Sequence, residues 1–122
     1  MVDNKSKELD GIFHALSNST RRHIVLELAK NDLTVKELAD KYDMSVQGVS
    51  KHIQVLVRSG LVTQKRAGRH KRCSFNNETL ESASELIQRY RAFWEARLES
   101  LEKYLNKKKI KEDEKKWAKP QL

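Results

Sequence analysis

Between Met44 and Asn77 the chain carries seven lysines and arginines and no aspartate or glutamate. They are Lys51, Arg58, Lys65, Arg66, Arg69, Lys71 and Arg72. Thirty-four residues without a carboxylate cannot neutralise themselves locally, whereas a row of phosphates can do so. The formal charge of the whole chain, +8, points to the same class of partner, a polyanion. Groups suited to base edges stand among the cations. Gln47 carries the amide pair that matches an adenine edge, and Val46 offers methyls to a thymine methyl. The hydroxyls of Thr34, Ser45 and Ser50 suit phosphate oxygens near helix N-termini. Lys51 and Gln54 fall on the same solvent-facing side. Gly48 interrupts this stretch at a helix-interior cost of about 1 kcal/mol relative to alanine. That cost suggests close backbone approach, to DNA or to the preceding helix. Lys65, Arg66, Arg69, His70 and Lys71 surround a turn able to reach a neighbouring minor groove or the backbone.

Other chemistries find little support. No Ser-His-Asp set, carboxylate cluster or glycine-rich phosphate loop is present, so neither an enzyme nor a cofactor is expected. The histidines, His14, His23, His52 and His70, include no i,i+4 pair, and a metal site is not expected. His52, beside Val49 and Ile53, reads as a packing and hydrogen-bonding residue. Arg21 and Arg22 suit either phosphate contact or local capping. Cys73 is the single cysteine, which excludes an intrachain disulfide. It alternates inward with Phe75, and two roles fit: a buried structural thiol, or a redox-sensing thiolate activated by the neighbouring positive charge.

Helical spacing of Leu9, Ile12, Phe13 and Leu16 predicts a first helix over about residues 5–16. Asn18, Ser19 and Thr20 supply N-cap chemistry for a second, carrying Ile24, Val25 and Leu28. Thr34 and Glu37 form a capping-box pair opening a third. Asp43-Met44 makes a turn, and Ser45 caps a fourth helix to about Arg58, with Gly60 past its end. The period then changes to two strands, 61–67 and 71–76, joined by a turn over Ala67-Gly68-Arg69-His70. A long helix is expected over 78–105. From Val35 to Gln54, the apolar set Leu38, Tyr42, Met44, Val49 and Ile53, with small Ala39 at the crossing, suits two helices packed steeply over a tight turn. The predicted fold class is therefore mainly α with a small β-hairpin wing, a winged helix-turn-helix.

The chain has room for one modest core. Residues 1–105 are read as the winged domain with terminal dimerisation helices, and 106–122 as a basic, flexible tail. No run of 18 apolar residues spans a membrane, no apolar signal segment opens the chain, and a cytoplasmic location is expected. The last helix bears an apolar stripe, Ile87, Tyr90, Trp94, Leu98 and Leu101, that a slim core cannot cover. Leu9, Ile12 and Phe13 on the first helix are its natural partners, within the chain or across a two-fold axis.

The stretches LSNSTRRHIVLELA, TVKELADKYDMSVQGVSKHIQVLVRSGLV and KRAGRHKRCSFN, spanning about residues 13–76, resemble the ArsR/SmtB family of repressors. That resemblance implies a homodimer whose first and last helices pair across a two-fold axis. It also implies binding to double-stranded operator DNA and release by a metal or another inducer. The family's metal motifs are absent. Val35-Lys36-Glu37-Leu38-Ala39-Asp40 stands where a Cys-x-Cys would be, and the last helix has no histidine. The segment RYRAFWEARLESLEKYL resembles a branch without metal sites, which leaves a small-molecule effector or a redox signal through Cys73. An architectural DNA binder without sequence preference remains the alternative.

Overall fold

The computed structural model describes residues 4–117. Five helices and three strands follow one another among them: α1 (Asn4–Leu16), α2 (Ser19–Lys30), β1 (Leu33–Thr34), α3 (Val35–Tyr42), α4 (Val46–Arg58), β2 (Val62–Ala67), β3 (His70–Phe75) and α5 (Asn77–Trp117). A compact unit ends at Ser84 and takes in only the first two turns of α5; the helix from Glu85 onward forms a second unit.

α2, α3 and α4 each start where a side chain accepts an orphan amide. Asn18 Oδ1 accepts from Arg21 N at 3.1 Å to open α2. At α3 the capping box is complete: Thr34 Oγ1 accepts from Glu37 N, and Thr34 N donates to Glu37 Oε1, both at 3.1 Å. Holding those amide bonds, the Glu37 carboxyl sits below its usual range, chiefly through the Thr34 backbone. Asp43 ends α3 at φ 51°, and its N–H and that of Met44 close on Asp40 and Ala39 carbonyls. Asp43 is the single non-glycine residue at positive φ among those described. A glycine is commoner at such a site, but aspartate tolerates it.

The core collects Ile12 and Ala15 of α1, Ile24, Val25 and Leu28 of α2, Leu38 and Ala39 of α3, and Val49, Ile53 and Leu56 of α4. Leu61, Val62, Cys73 and Ala83 close it from the sheet and from α5. The wing is not a bare hairpin. β1 adds antiparallel to β3, with Leu33 opposite Cys73, so the sheet runs β1-β3-β2. A two-residue strand has no period for a sequence to display, which is why only the hairpin was expected. Two further expectations change. The last helix continues past Leu105 to Trp117, where a mobile tail was expected, and residues 118–122 lie outside the described residues. Ile12, expected at a dimer interface, is 1% exposed within its own chain because it and Ala15 form the inward stripe of α1.

Arg21 ties this core together. Its Nε donates to Ala15 O at 2.7 Å and its Nη2 to His14 O at 3.2 Å, while Arg22 Nη1 donates to Leu16 O at 2.8 Å. The two arginines thus satisfy the last carbonyls of α1, the capping role that the sequence allowed. Arg21 Nη1 also reaches His52 Nδ1 on α4 at 3.3 Å. A guanidinium only donates, so Nδ1 accepts and the imidazole is neutral with its proton on Nε2. Burial first, and the Arg21 charge second, hold His52 below the ordinary histidine range. As pH falls below about 6.5, the unfolded chain takes up the proton more readily than the folded one. Stability is therefore expected to fall from that pH down to the lowered folded value. Urea titrations of the parent and of His52→Gln between neutral and mildly acid pH check this; the variant should lose the step.

Candidate nucleic-acid interface

One face of α4 is spent on the core and the opposite face is open. Val46, Gln47, Lys51 and Gln54 are exposed, and Ser50 is half-buried beside them. The N-terminal end of α4 is held by Ser45, exposed at the N-cap, whose Oγ accepts from Gly48 N at 3.0 Å. Gly48 stands three residues after the cap, the place that Glu37 takes in α3. A Cβ there would stand 3.1 Å from Ser45 Oγ and 3.5 Å from Met44 Cε. The close approach comes from the cap and the turn just before the helix, not from the body of α3.

The wing is a two-residue turn, Gly68-Arg69, between Ala67 and His70, which pair in register. Positive φ at Gly68 (66°) and not at Arg69 is the II′ pattern, whose twist suits a hairpin. The register sets Lys65 opposite Arg72 and Arg66 opposite Lys71. Like charges directly across antiparallel strands repel, so this ribbon gives up stability as it stands. Arg72 finds partial relief: its Nη2 donates to Asp32 O at 3.4 Å and its Nε lies 3.9 Å from Asp32 Oδ2. Lys65, Arg66, Arg69, His70 and Lys71 are all exposed, and none forms an ion pair among the described residues.

A cleft of about 260 Å3 joins wing and helices, lined by Thr34, Val35, Lys36, Val46, Ser50, Arg69, His70 and Lys71. It brings together six of the residues singled out in the sequence. It adds Lys36, which sequence reasoning missed because it lies eight residues before the acid-free segment, between Glu37 and the cap. Its position in the first turn of the helix after β1 was the available signal: that turn faces the same way as Thr34.

Cys73 lies on the other face of the sheet, between Leu33 and Gln64, with no exposed surface. Burial pushes its thiol up, opposed by the Gln64 amide, whose Nε2 donates to Sγ at 3.6 Å. That is the environment of an inert core cysteine rather than of a thiolate. No group of three or more potential metal ligands occurs among the described residues. The interface residues expected on the terminal helices separate into two sets. Leu9 packs partly against the core, while Phe13 is exposed on α1. Ile87, Tyr90, Trp94, Leu98 and Leu101 are exposed on the second unit, each by half or more of its surface.

A helix-turn-helix with a cationic three-stranded wing defines a DNA-binding transcriptional regulator of the winged type. Comparisons agree. A family model described as a helix-turn-helix domain matches residues 16–65. An uncharacterised HTH-type transcriptional regulator of Bacillus subtilis, YuzN, is 48% identical over 80 residues, which cover 60% of this chain and 87% of the relative. The transcriptional repressor SdpR of the same organism is 27% identical over 75 residues, covering 62% and 83%. The crystal structure of an ArsR family transcriptional regulator superimposes with a TM-score of 0.69 at 32% identity, covering 78% of this chain and 97% of that one. The chain belongs to the ArsR/SmtB family of winged helix-turn-helix regulators.

If the cleft holds a phosphate, Lys36→Ala should weaken binding to all DNA about equally. It should also flatten the plot of log affinity against log salt by about 0.9 per phosphate lost. Fluorescence anisotropy across a salt series measures both, and an unchanged slope removes Lys36 from the contact surface.

Proposed function

We propose that the protein is a homodimeric repressor that binds a palindromic operator and releases it on a signal other than a metal ion. The observation that carries this reading is the wing ribbon, with Lys65 opposite Arg72 and Arg66 opposite Lys71, next to the open face of α4. A repulsion built into a small sheet is offset when polyphosphate lies along it. In this reading α4 enters the major groove. Gln47 and Val46 meet base edges there, and Ser45, Gly48, Ser50, Lys51 and Gln54 line the approach. Thr34, Lys36, Arg69, His70 and Lys71 hold backbone phosphate beside it, and Lys65 and Arg66 extend the contact along the wing.

Dimerisation is the second element. The stripe Ile87, Tyr90, Trp94, Leu98 and Leu101 leaves five large apolar side chains exposed along one face of the second unit, and Phe13 is exposed on the first. A two-fold partner covers such a stripe with its own copy. Phe93 packs edge-on against Trp94, with ring centroids 6.0 Å apart, and Arg97 lies 4.9 Å over Phe93, so the aromatic cluster is already ordered on the helix. Residues 1–105 constitute the DNA-binding and dimerising part in this proposal. The absence of any helix of spanning length and hydropathy among the described residues accords with a cytoplasmic regulator.

Footprinting the purified protein on its own upstream region tests the whole reading. An imperfect palindrome with half-sites about one helical turn apart, ~34–36 Å, is expected. Gln47→Ala should cost about 1–3 kcal/mol at one operator position and relax specificity there. A uniform loss, or none, would instead indicate an architectural binder. Trp94→Glu should shift the protein from dimer to monomer in sedimentation equilibrium and weaken operator binding with it. A dimer that persists would rule out the last helix as the interface.

A further inference from the structure

The largest cavity described in the compact unit lies away from the wing cleft. It is an open concavity of about 420 Å3 among α1, the C-terminal end of α4 and the first turns of α5. Glu8, Arg58, Asn76, Glu78, Thr79 and Ser82 line it, and Ile12 contributes the one apolar side chain. Among the described residues no ion pair engages Glu8, Arg58 or Glu78, and no side-chain hydrogen bond engages any of the six. Three charged groups from three helices thus border one cavity without neutralising one another. We propose that this cavity binds a small molecule bearing one carboxylate and two amino groups, of the basic amino-acid type. The Arg58 guanidinium matches a carboxylate with its paired donors, and the two glutamates match ammonium groups. The hydroxyls of Thr79 and Ser82 and the Asn76 amide supply neutral hydrogen bonds. Ile12 is itself almost wholly covered, so the site offers little apolar area and selects a polar ligand.

The placement also gives the ligand a route to the DNA-reading helix. Arg58 is the last residue of α4, and Ser59 and Gly60, its C-cap and the residue after it, stand on the same wall. Gly60 takes φ 85° and lies under Thr79, so close that a Cβ there would meet Thr79 Oγ1 at 3.2 Å. A ligand gripping Arg58 and Thr79 at once sets the end of α4 against α1 and α5. Gln47 lies on the same helix, eleven residues earlier, about 16 Å along the axis at 1.5 Å per residue. Differential contact in two positions of α4 is what coupling between the sites requires. Binding is independent of the operator reading; the coupling rests on it.

Titration calorimetry and thermal melting with L-ornithine and L-lysine test the site, with putrescine lacking the carboxylate and succinate lacking the amines. Ornithine or lysine is expected to bind and raise the melting temperature, and the two controls are not. Arg58→Gln, and separately Glu8→Gln with Glu78→Gln, should each weaken binding at least about tenfold. Arg58, Glu8 and Glu78 are exposed, and circular dichroism of the unliganded variants verifies that they fold. No heat or shift with either amino acid up to roughly 10 mM, equal binding of a control, or unchanged affinity in Arg58→Gln overturns the proposal. For the coupling, saturating ligand should change operator affinity severalfold by anisotropy. Binding without such a change overturns the coupling and leaves the site.

Discussion

One helix with two incompatible faces organises this protein. Val49, Ile53 and Leu56 of α4 have no exposed surface, and burying three such side chains is worth on the order of 1.5–3 kcal/mol each. That burial fixes the rotation of α4 about its axis. The face carrying Val46, Gln47, Lys51 and Gln54 then has no choice but to face outward. α3 crosses beneath it through Leu38 and Ala39, the turn is set by the left-handed Asp43, and the first amides are held by Ser45. Rotating α4 by one residue, or about 100°, would put Ser50 and Gln54 in the core and expose Ile53, so the packing and the surface proposed to read DNA are one constraint.

Electrostatics follow from the same geometry. Apolar burial holds the sheet through Leu61, Val62 and Cys73, while the distal half of the hairpin extends beyond the core and carries opposed cations. The core thus supports a surface that would not assemble for its own sake. Asp32 relieves Arg72 alone, while Glu37 is used in the capping box of α3 and Glu27 on Lys41 and Lys30 of the α2–α3 surface. Exposed pairs of this kind contribute little to stability, about 0–1 kcal/mol, but those of Glu27 take a carboxylate away from the wing. Arg21 and Arg22 show the reverse economy, since two cations of a basic protein serve as caps for α1.

Local signals in the sequence were read correctly where one or two residues suffice to produce the structure. Asn18, Thr34 with Glu37, and Ser45 open their helices, Asp43 and Gly60 turn left-handed, and Gly68 makes the wing turn. These depend on a side chain reaching an amide three residues away, or on the steric freedom of one α-carbon. Signals were lost where the partner is distant. β1 exists because Leu33 lies against Cys73, forty residues on. Lys36 joins the cleft only when the wing folds back over α3. The role of Arg21 depends on its reach to His14 and Ala15 behind it and to His52 ahead.

By itself the sequence determined the order of the helices and the hairpin, the caps, the helix-turn-helix crossing and the separation of cations from carboxylates, because each is written in residue type and short spacing. Tertiary structure decided which apolar residues belong to the core and which stay outside. Ile12 and Phe13 are adjacent in α1, yet one is buried and the other exposed, because only packing settles which 100° of the helix meets α2 and α4. It also decided that Cys73 is a core residue, and that Glu8, Arg58 and Glu78, seventy residues apart at the extremes, border one cavity. Periodicity reports that a face is apolar or charged; what lies opposite that face is a property of the folded chain alone.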